Sequence, residues 1–121
     1  MIVTLPWPHK DLSPNSRCHW AVKARHKAAA RKWAHMATIA DIAAPVRAAL
    51  AADSGPIPLR VTFFPPDLRR RDWDNCIAQM KAAFDGVADA LGVDDRRFVP
   101  TVAFREAAKP GRVEITLEAL K

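Results

Sequence analysis

Apolar residues along the chain follow two repeats, one of two residues, typical of strands, and one near 3.6 residues, typical of helices. Four segments have the apolar composition or the alternation of strands: residues 2–5, 58–64, 98–106 and 113–117. Pro6 and Pro8 stop the first segment, since proline is rarely tolerated inside a sheet. We therefore predict a short strand near the beginning of the chain, one in the middle and two near its end.

Two longer segments have helical spacing. In the first, from about residue 18 to residue 43, apolar residues at steps of three, four or seven form one stripe: Val22, Ala29, Trp33, Met36 and Ala40. Pro45 breaks or kinks this helix, and residues 46–52 predict another short helical turn. In the second, over residues 75–91, apolar residues recur at steps of three and four: Ile77, Met80, Phe84, Val87 and Leu91. Gly92 then stands where a helix usually ends.

The elements occur in the order β-α-β-α-β-β, which predicts a two-layer α+β fold with helices packed on a small mixed or antiparallel sheet. The length of 121 residues predicts a single domain over residues 1–121. With 50% hydrophobic and 26% charged residues, the composition is that of a globular protein.

Composition and spacing also argue against several classes of protein. No apolar run approaches the ~20 residues of a membrane span, and the first residues lack the pattern of a secretory signal. Cys18 and Cys76 form no CxxC pair, which argues against a disulfide scaffold or a thiolate zinc site and predicts a protein of the reducing cytoplasm. The histidines show neither an HxH nor an HExxH pattern, so we expect no histidine metal site.

The charge is strongly positive, with 19 Lys and Arg against 13 Asp and Glu and a net charge of +6, which favours a polyanionic partner. Six basic residues concentrate in the first helix and just before it: Arg17, Lys23, Arg25, Lys27, Arg31 and Lys32. Lys23, Lys27 and Arg31 recur every four residues and form a basic stripe. Such a stripe either follows a phosphate backbone or is simply a solvated face, and the sequence leaves both open.

The densest group of charges is Arg69–Arg71 followed by Asp72 and Asp74, at the junction of a strand and a helix. In an extended junction the two aspartates point to the same side and could share Mg²⁺ or Mn²⁺. The alternative is structural, because Asp74 is a good helix N-cap. Trp20 and Trp73 lie in basic segments, where a base could stack on either, although core packing is the expected role.

Lys81 has two possible roles. It follows Asp74 by seven residues, so in a continuous helix the two share a face. It also precedes Asp85 by four residues, the spacing of an inert surface ion pair. Asp94 and Asp95 follow the helix and are typical of a solvated turn, but Asp95 can meet Asp74 if the chain turns back.

Several motifs occur together over nearly the whole chain: LPWP at residues 5–8 with Asn15 after it, RRDWDN at 70–75, KAAFD at 81–85, VDD at 93–95 and GRVEITL at 111–117. In this combination the chain resembles the RusA family of Holliday-junction resolvases. The resemblance implies a small homodimeric α+β endonuclease, found in bacteria and often in prophages. It also implies Mg²⁺ or Mn²⁺ as cofactor and four-way DNA junctions as substrate.

By the same resemblance, the metal-binding carboxylates are Asp72, Asp74 and Asp95. The family's catalytic lysine usually follows the second aspartate of the DxD motif by four residues, where this chain has Ala78. Lys81, one helical turn later, is the candidate to replace it. The residues expected to contact DNA phosphates are Arg17, Lys23, Lys27, Arg31, Arg69, Arg70 and Arg71.

Three hypotheses about function follow. The favoured one is a metal-dependent, structure-selective endonuclease that resolves four-way junctions by paired cuts in recombination and repair. The second is a catalytically degenerate basic protein that binds branched DNA without cutting it, which the displaced lysine favours. The third is a metal-dependent nuclease acting on another branched or flap substrate. None of them involves a membrane.

Overall fold

A computed structural model describes residues 1–117. Its helices and strands, in chain order, are β1 (Ile2–Pro6), α1 (Trp20–Asp41), α2 (Ala44–Ala52), β2 (Ile57–Phe64), α3 (Trp73–Ala78), α4 (Lys81–Leu91), β3 (Phe98–Phe104) and β4 (Arg112–Leu117). Two single turns of 3₁₀ helix, Lys10–Leu12 and Asp95–Arg97, lie in the loops before α1 and before β3. No helix in this part of the chain is long and apolar enough to cross a membrane.

The four strands form one mixed sheet in the order β1-β4-β2-β3. β4 pairs antiparallel with both β1 and β2, whereas β2 and β3 are parallel. A parallel pair needs a crossover connection, and α3 and α4 provide it. The predicted α+β class, with helices on a small mixed sheet, is confirmed.

The core lies between the sheet and the helices α1 and α4. Alternate residues of each strand point toward the helices, as Val3 and Leu5 do in β1, and α4 contributes Val87 and Leu91 from the other side. The break predicted at Pro45 is also present, because α1 ends at Asp41 and the proline occupies the first turn of α2.

The second predicted helix, residues 75–91, is wrong as a continuous element, because it divides into α3 and α4 at Gln79 and Met80. The N–H of Met80 donates to the carbonyl of Ile77, a three-residue tightening typical of a helix end. The carbonyl of Met80 then accepts from Phe84 to begin α4. The side chain of Met80 is buried in the core.

The predicted apolar stripe of α1 is not its buried face, since Trp33 is 59% and Met36 60% exposed. The buried residues of α1 are Ala34 and Thr38, and the Thr38 hydroxyl donates to the Ala34 carbonyl. Small residues occupy this face because α1 and α4 approach very closely. Large side chains are therefore displaced to the solvent side of α1.

Gly86 marks the closest approach of the two helices. A Cβ atom on Gly86 would lie 2.1 Å from the carbonyl oxygen of Arg31, a backbone atom that cannot move without displacing α1. Gly86→Ala should therefore lower the free energy of unfolding by about 1–3 kcal/mol, measured by urea denaturation.

The matched control is Gly55→Ala, where the added Cβ would lie 3.6 Å from Asp53 Oδ2, an ordinary contact. Its effect should stay below about 1 kcal/mol. Equal stability of Gly86→Ala and the unsubstituted protein would show that the helices do not pack this closely.

Candidate functional site

Three adjoining hollows form one charged cleft along α1, α3 and α4. The first contains Arg69, Arg70, Arg71, Asp72 and Asn75; the second contains Lys23, Lys27, Arg31, Lys81 and Asp85; the third contains Arg31, Asp85, Asp89, Asp94 and Asp95. Gln79 lines the first and second hollows, and Arg31 and Asp85 line the second and third. Most of the charged residues singled out in the sequence therefore lie along one surface.

Asp72 and Asp74 lie at the beginning of α3. Asp72 is the N-cap, because its Oδ1 accepts the N–H of Asp74 at 3.0 Å. The alternative that assigned the cap to Asp74 is therefore wrong by two residues, since the helix already begins at Trp73. The carboxylate of Asp74 is exposed in the first helical turn, and Asp72 keeps a second oxygen for another partner.

The three arginines before α3 differ in their contacts. Arg71 donates to the Asp67 side chain at 2.8 Å and lies over the Trp7 ring, so it stabilises the loop. The Arg69 N–H and the Arg71 guanidinium together lower the pKa of Asp67. Arg69 and Arg70 are exposed at the edge of the hollow.

Lys81 joins two carboxylates. Its Nζ donates to Asp85 Oδ1 at 2.9 Å and also to Asp95 Oδ2, and these hydrogen bonds, first the one to Asp95 and then the one to Asp85, raise the pKa of Lys81. The surface pair with Asp85 is thus present, together with a second contact to one of the candidate metal ligands. The face shared with Asp74 was derived for a continuous helix, and the break at Gln79 and Met80 removes that argument.

The chain turns back after α4, and this reversal brings Asp95 into contact with Lys81 at the beginning of the helix. Gly92 adopts a left-handed conformation at the end of α4, and the Asp95–Arg97 turn follows. Asp94 caps this turn, and its hydrogen bonds with Arg96 lower its pKa to about 2. Asp94 therefore has the role of a solvated turn residue, whereas Asp95 contacts Lys81.

The basic stripe of α1 faces the cleft. Lys23 and Lys27 line the same hollow as Lys81, while Arg31 forms two hydrogen bonds to Asp89 at 2.6 and 2.9 Å. This pairing raises the pKa of Arg31 and lowers that of Asp89. Arg17 is exposed in the loop before α1.

The core role expected for two tryptophans is wrong. Trp20 is 76% and Trp73 59% exposed. Each is the first residue of its helix, where the chain has not yet reached the core. Both rings are therefore accessible to a planar partner.

Comparison with known proteins places the chain in a family. No family model matches it. An uncharacterized protein of Xylella fastidiosa is 38% identical over 98% of this chain and 76% of its own length. Crossover junction endodeoxyribonuclease RusA of Escherichia coli K12 is 34% identical, over 95% of this chain and 91% of the RusA protein. The chain belongs to the RusA family. The RusA protein of Escherichia coli O6:H1 matches to the same extent.

The resemblance to RusA implies a bound divalent metal ion, and the oxygen atoms of the candidate carboxylates are suitable ligands for such an ion. Mg²⁺ and Mn²⁺ prefer hard oxygen ligands, which Asp72 and Asp74 offer on the surface. In residues 1–117, however, Asp72, Asp74 and Asp95 do not form a group whose donor atoms all lie within 4.8 Å of one another. A shared ion therefore requires these carboxylates to move closer together.

Sequence reasoning missed two features. Asp85 lines two of the hollows and contacts Lys81, but its spacing indicated only an inert pair. His9, Asp11 and His26 form the group whose donor atoms do lie within 4.8 Å of one another. The expectation of no histidine metal site rested on local spacing, which cannot detect histidines that a loop and a helix bring together.

Proposed function

We propose that this chain is a divalent-metal-dependent endonuclease that resolves four-way DNA junctions by paired phosphodiester cuts. Membership of the RusA family supports this proposal. The observation that carries it is the charged cleft, in which Lys81 contacts Asp95 while basic residues of α1 line the same hollow. Carboxylates suit a metal ion, and the neighbouring cations suit the phosphates that such an ion would act on.

Asp72, Asp74 and Asp95 would hold Mg²⁺ or Mn²⁺. The bound ion would supply an activated water and stabilise negative charge on the scissile phosphate. Lys81 would move from its carboxylate partners toward the phosphate and neutralise it, since its side chain is exposed and its ammonium can exchange one anion for another. Arg69 and Arg70 would add positive charge beside Asp72.

Lys23 and Lys27, with Arg17 before the helix, would bind the DNA backbone. Backbone contacts fix position without reading sequence, so selectivity would come from the shape of the junction. The exposed rings of Trp20 and Trp73 could stack on unpaired bases at the branch. A two-fold homodimer, as the resemblance implies, would place two such clefts on a two-fold-symmetric junction.

A second candidate function is binding of branched DNA without cleavage. The observation that favours it is the engagement of Lys81 by Asp85 and Asp95, together with Ala78 at the position of the family lysine. The cluster of carboxylates argues against it, because without a metal ion those carboxylates repel phosphate.

A cleavage assay separates these functions. The purified protein is incubated with four-way junctions, flaps, forks and linear duplexes, each with and without Mg²⁺. We expect paired cuts in the four-way junction that depend on the ion. Binding without cutting at every Mg²⁺ and Mn²⁺ concentration would support the second function. Faster cutting of flaps than of four-way junctions would indicate that flaps are the substrate.

Asp74→Asn should abolish cleavage and preserve junction binding. The substitution removes a negative ligand at nearly constant volume, and the helix cap at Asp72 remains intact. The melting temperature should stay within about 2 °C of the unsubstituted protein. The control is Asp41→Asn, an exposed aspartate at the end of α1, which should cut normally. Cutting at the normal rate by Asp74→Asn would exclude Asp74 from the site.

Junction binding should weaken steeply with salt, and the double variant Lys23→Ala, Lys27→Ala should flatten that dependence. Each phosphate contact contributes a slope of about −0.9 in log K against log salt, so two contacts predict a change of about 1.8. Arg31 is left in place because it is paired with Asp89. Lys10→Ala with Lys109→Ala removes the same charge at two residues that line none of the three hollows, and serves as control. Equal slopes of log K against log salt for both double variants would show that Lys23 and Lys27 do not contact phosphates and that the stripe is only a solvated face.

Lys81→Met should lower turnover by one to three orders of magnitude, equivalent to about 1.4–4 kcal/mol of transition-state stabilisation. The substitution keeps most of the apolar stem and removes the charge. Single-turnover cleavage at saturating protein measures the effect separately from binding. Preserved cutting would assign the cationic role to Arg69 or Arg70, which are exposed, whereas Arg71 is largely buried and hydrogen-bonded to Asp67.

A further inference from the structure

Two histidines and an aspartate, none of which lines the three hollows of the charged cleft, meet between α1 and the loop that precedes it. His9 Nδ1 lies 3.8 Å and His26 Nε2 3.9 Å from Asp11 Oδ2. The two imidazole rings are stacked, with centroids 3.7 Å apart. His9 and Asp11 belong to the loop before α1, and His26 lies in the second turn of that helix.

Contacts around the cluster already orient its donors. The hydroxyl of Ser16 donates to Asp11 Oδ1 at 3.0 Å, which leaves Oδ2 facing both imidazoles. Hydrogen bonds to the outer atoms of a ligand orient the ligand and raise metal affinity. All three side chains remain partly accessible, so an ion could enter from solvent.

We propose that His9, Asp11 and His26 bind a divalent transition-metal ion of the zinc class, at a site separate from the carboxylates of the charged cleft. Two imidazoles and one carboxylate suit Zn²⁺ or Co²⁺, whereas Mg²⁺ prefers oxygen ligands alone. Three protein ligands leave at least one position for water or another small ligand.

Binding requires only a local adjustment. Donor atoms around a tetrahedral zinc ion are about 3.4 Å apart, slightly closer than the two distances to Asp11. His9 Nδ1, which accepts the N–H of Asp11 at 3.1 Å, would exchange that hydrogen bond for the metal. The two rings would rotate out of their stack, because a metal bond lies in the plane of an imidazole.

The ion would connect the loop to α1 and thereby stabilise one wall of the charged cleft. Leu12 and Pro14, within the same loop, line the hollow that contains Lys23 and Lys81. The hydroxyl of Ser13 donates to Asn75 Oδ1 at 3.0 Å, so the loop also contacts α3 next to Asp74. Metal binding would thus restrict the position of the loop relative to α3.

Cobalt absorption tests the site directly, with protein that carries no histidine tag. Co²⁺ bound by two histidines and a carboxylate in four- or five-coordinate geometry absorbs visible light strongly, whereas octahedral Co²⁺ on carboxylates absorbs weakly. We expect a strong band that saturates at one ion per chain, is displaced by Zn²⁺ and persists in excess Mg²⁺. Zn²⁺ at 100 times its Kd should raise the melting temperature by on the order of 10 °C.

Variants decide whether the band belongs to this cluster. His26→Gln should abolish it, Ser16→Ala should weaken affinity by about tenfold, and His35→Gln on the same helix should leave it unchanged. If circular dichroism shows that His26→Gln does not fold, Asp11→Asn replaces it with the same expected loss. Absence of the band in the unsubstituted protein, or its persistence in the folded His26→Gln or Asp11→Asn variant, would overturn the proposal. The readout is independent of nuclease activity.

Discussion

The close packing of α1 against α4 is the constraint on which the charged cleft depends. Gly86 lets the backbone of α4 approach the carbonyl of Arg31, and Ala34 fills the remaining space. Because the helices are this close, the basic residues of α1 and the residues around Lys81 line the same hollow. A larger residue at Gly86 would separate the two walls, so the packing that stabilises the fold also determines the width of the cleft.

The sequence predicts the class of fold well, because strands and helices each leave a local repeat. It also identifies Asp72, Asp74, Lys81 and Asp95 as candidates, since their residue types and order carry the family resemblance. The break between α3 and α4 could not be predicted in this way. Met80 continues the apolar repeat, so the side-chain pattern shows no interruption. The break arises in the backbone, where the N–H of Met80 donates to the carbonyl of Ile77.

The exposure and the contacts of side chains that depend on tertiary packing were the least predictable from the sequence. Trp20, Trp33 and Trp73 are large and apolar, yet all three are exposed. The contact between α1 and α4 selects small residues and leaves Trp33 on the solvent side, whereas Trp20 and Trp73 begin their helices before the chain reaches the core. His9 and His26 are far apart in sequence and meet only because the loop folds back along α1. Local spacing contains no information about either outcome.

The position of β4 in the sheet has a consequence for how the protein is made. β4 lies between β1 and β2, and Ile2 pairs with Thr116. Neither β1 nor β2 can therefore pair with β4 on the ribosome until β4 itself has emerged, although α1, α3 and α4 are already synthesised. A nascent chain exposes a positively charged helix long before its sheet is complete. Completion of the sheet, and with it a fixed arrangement of the charged cleft, therefore waits until all four strands have been synthesised.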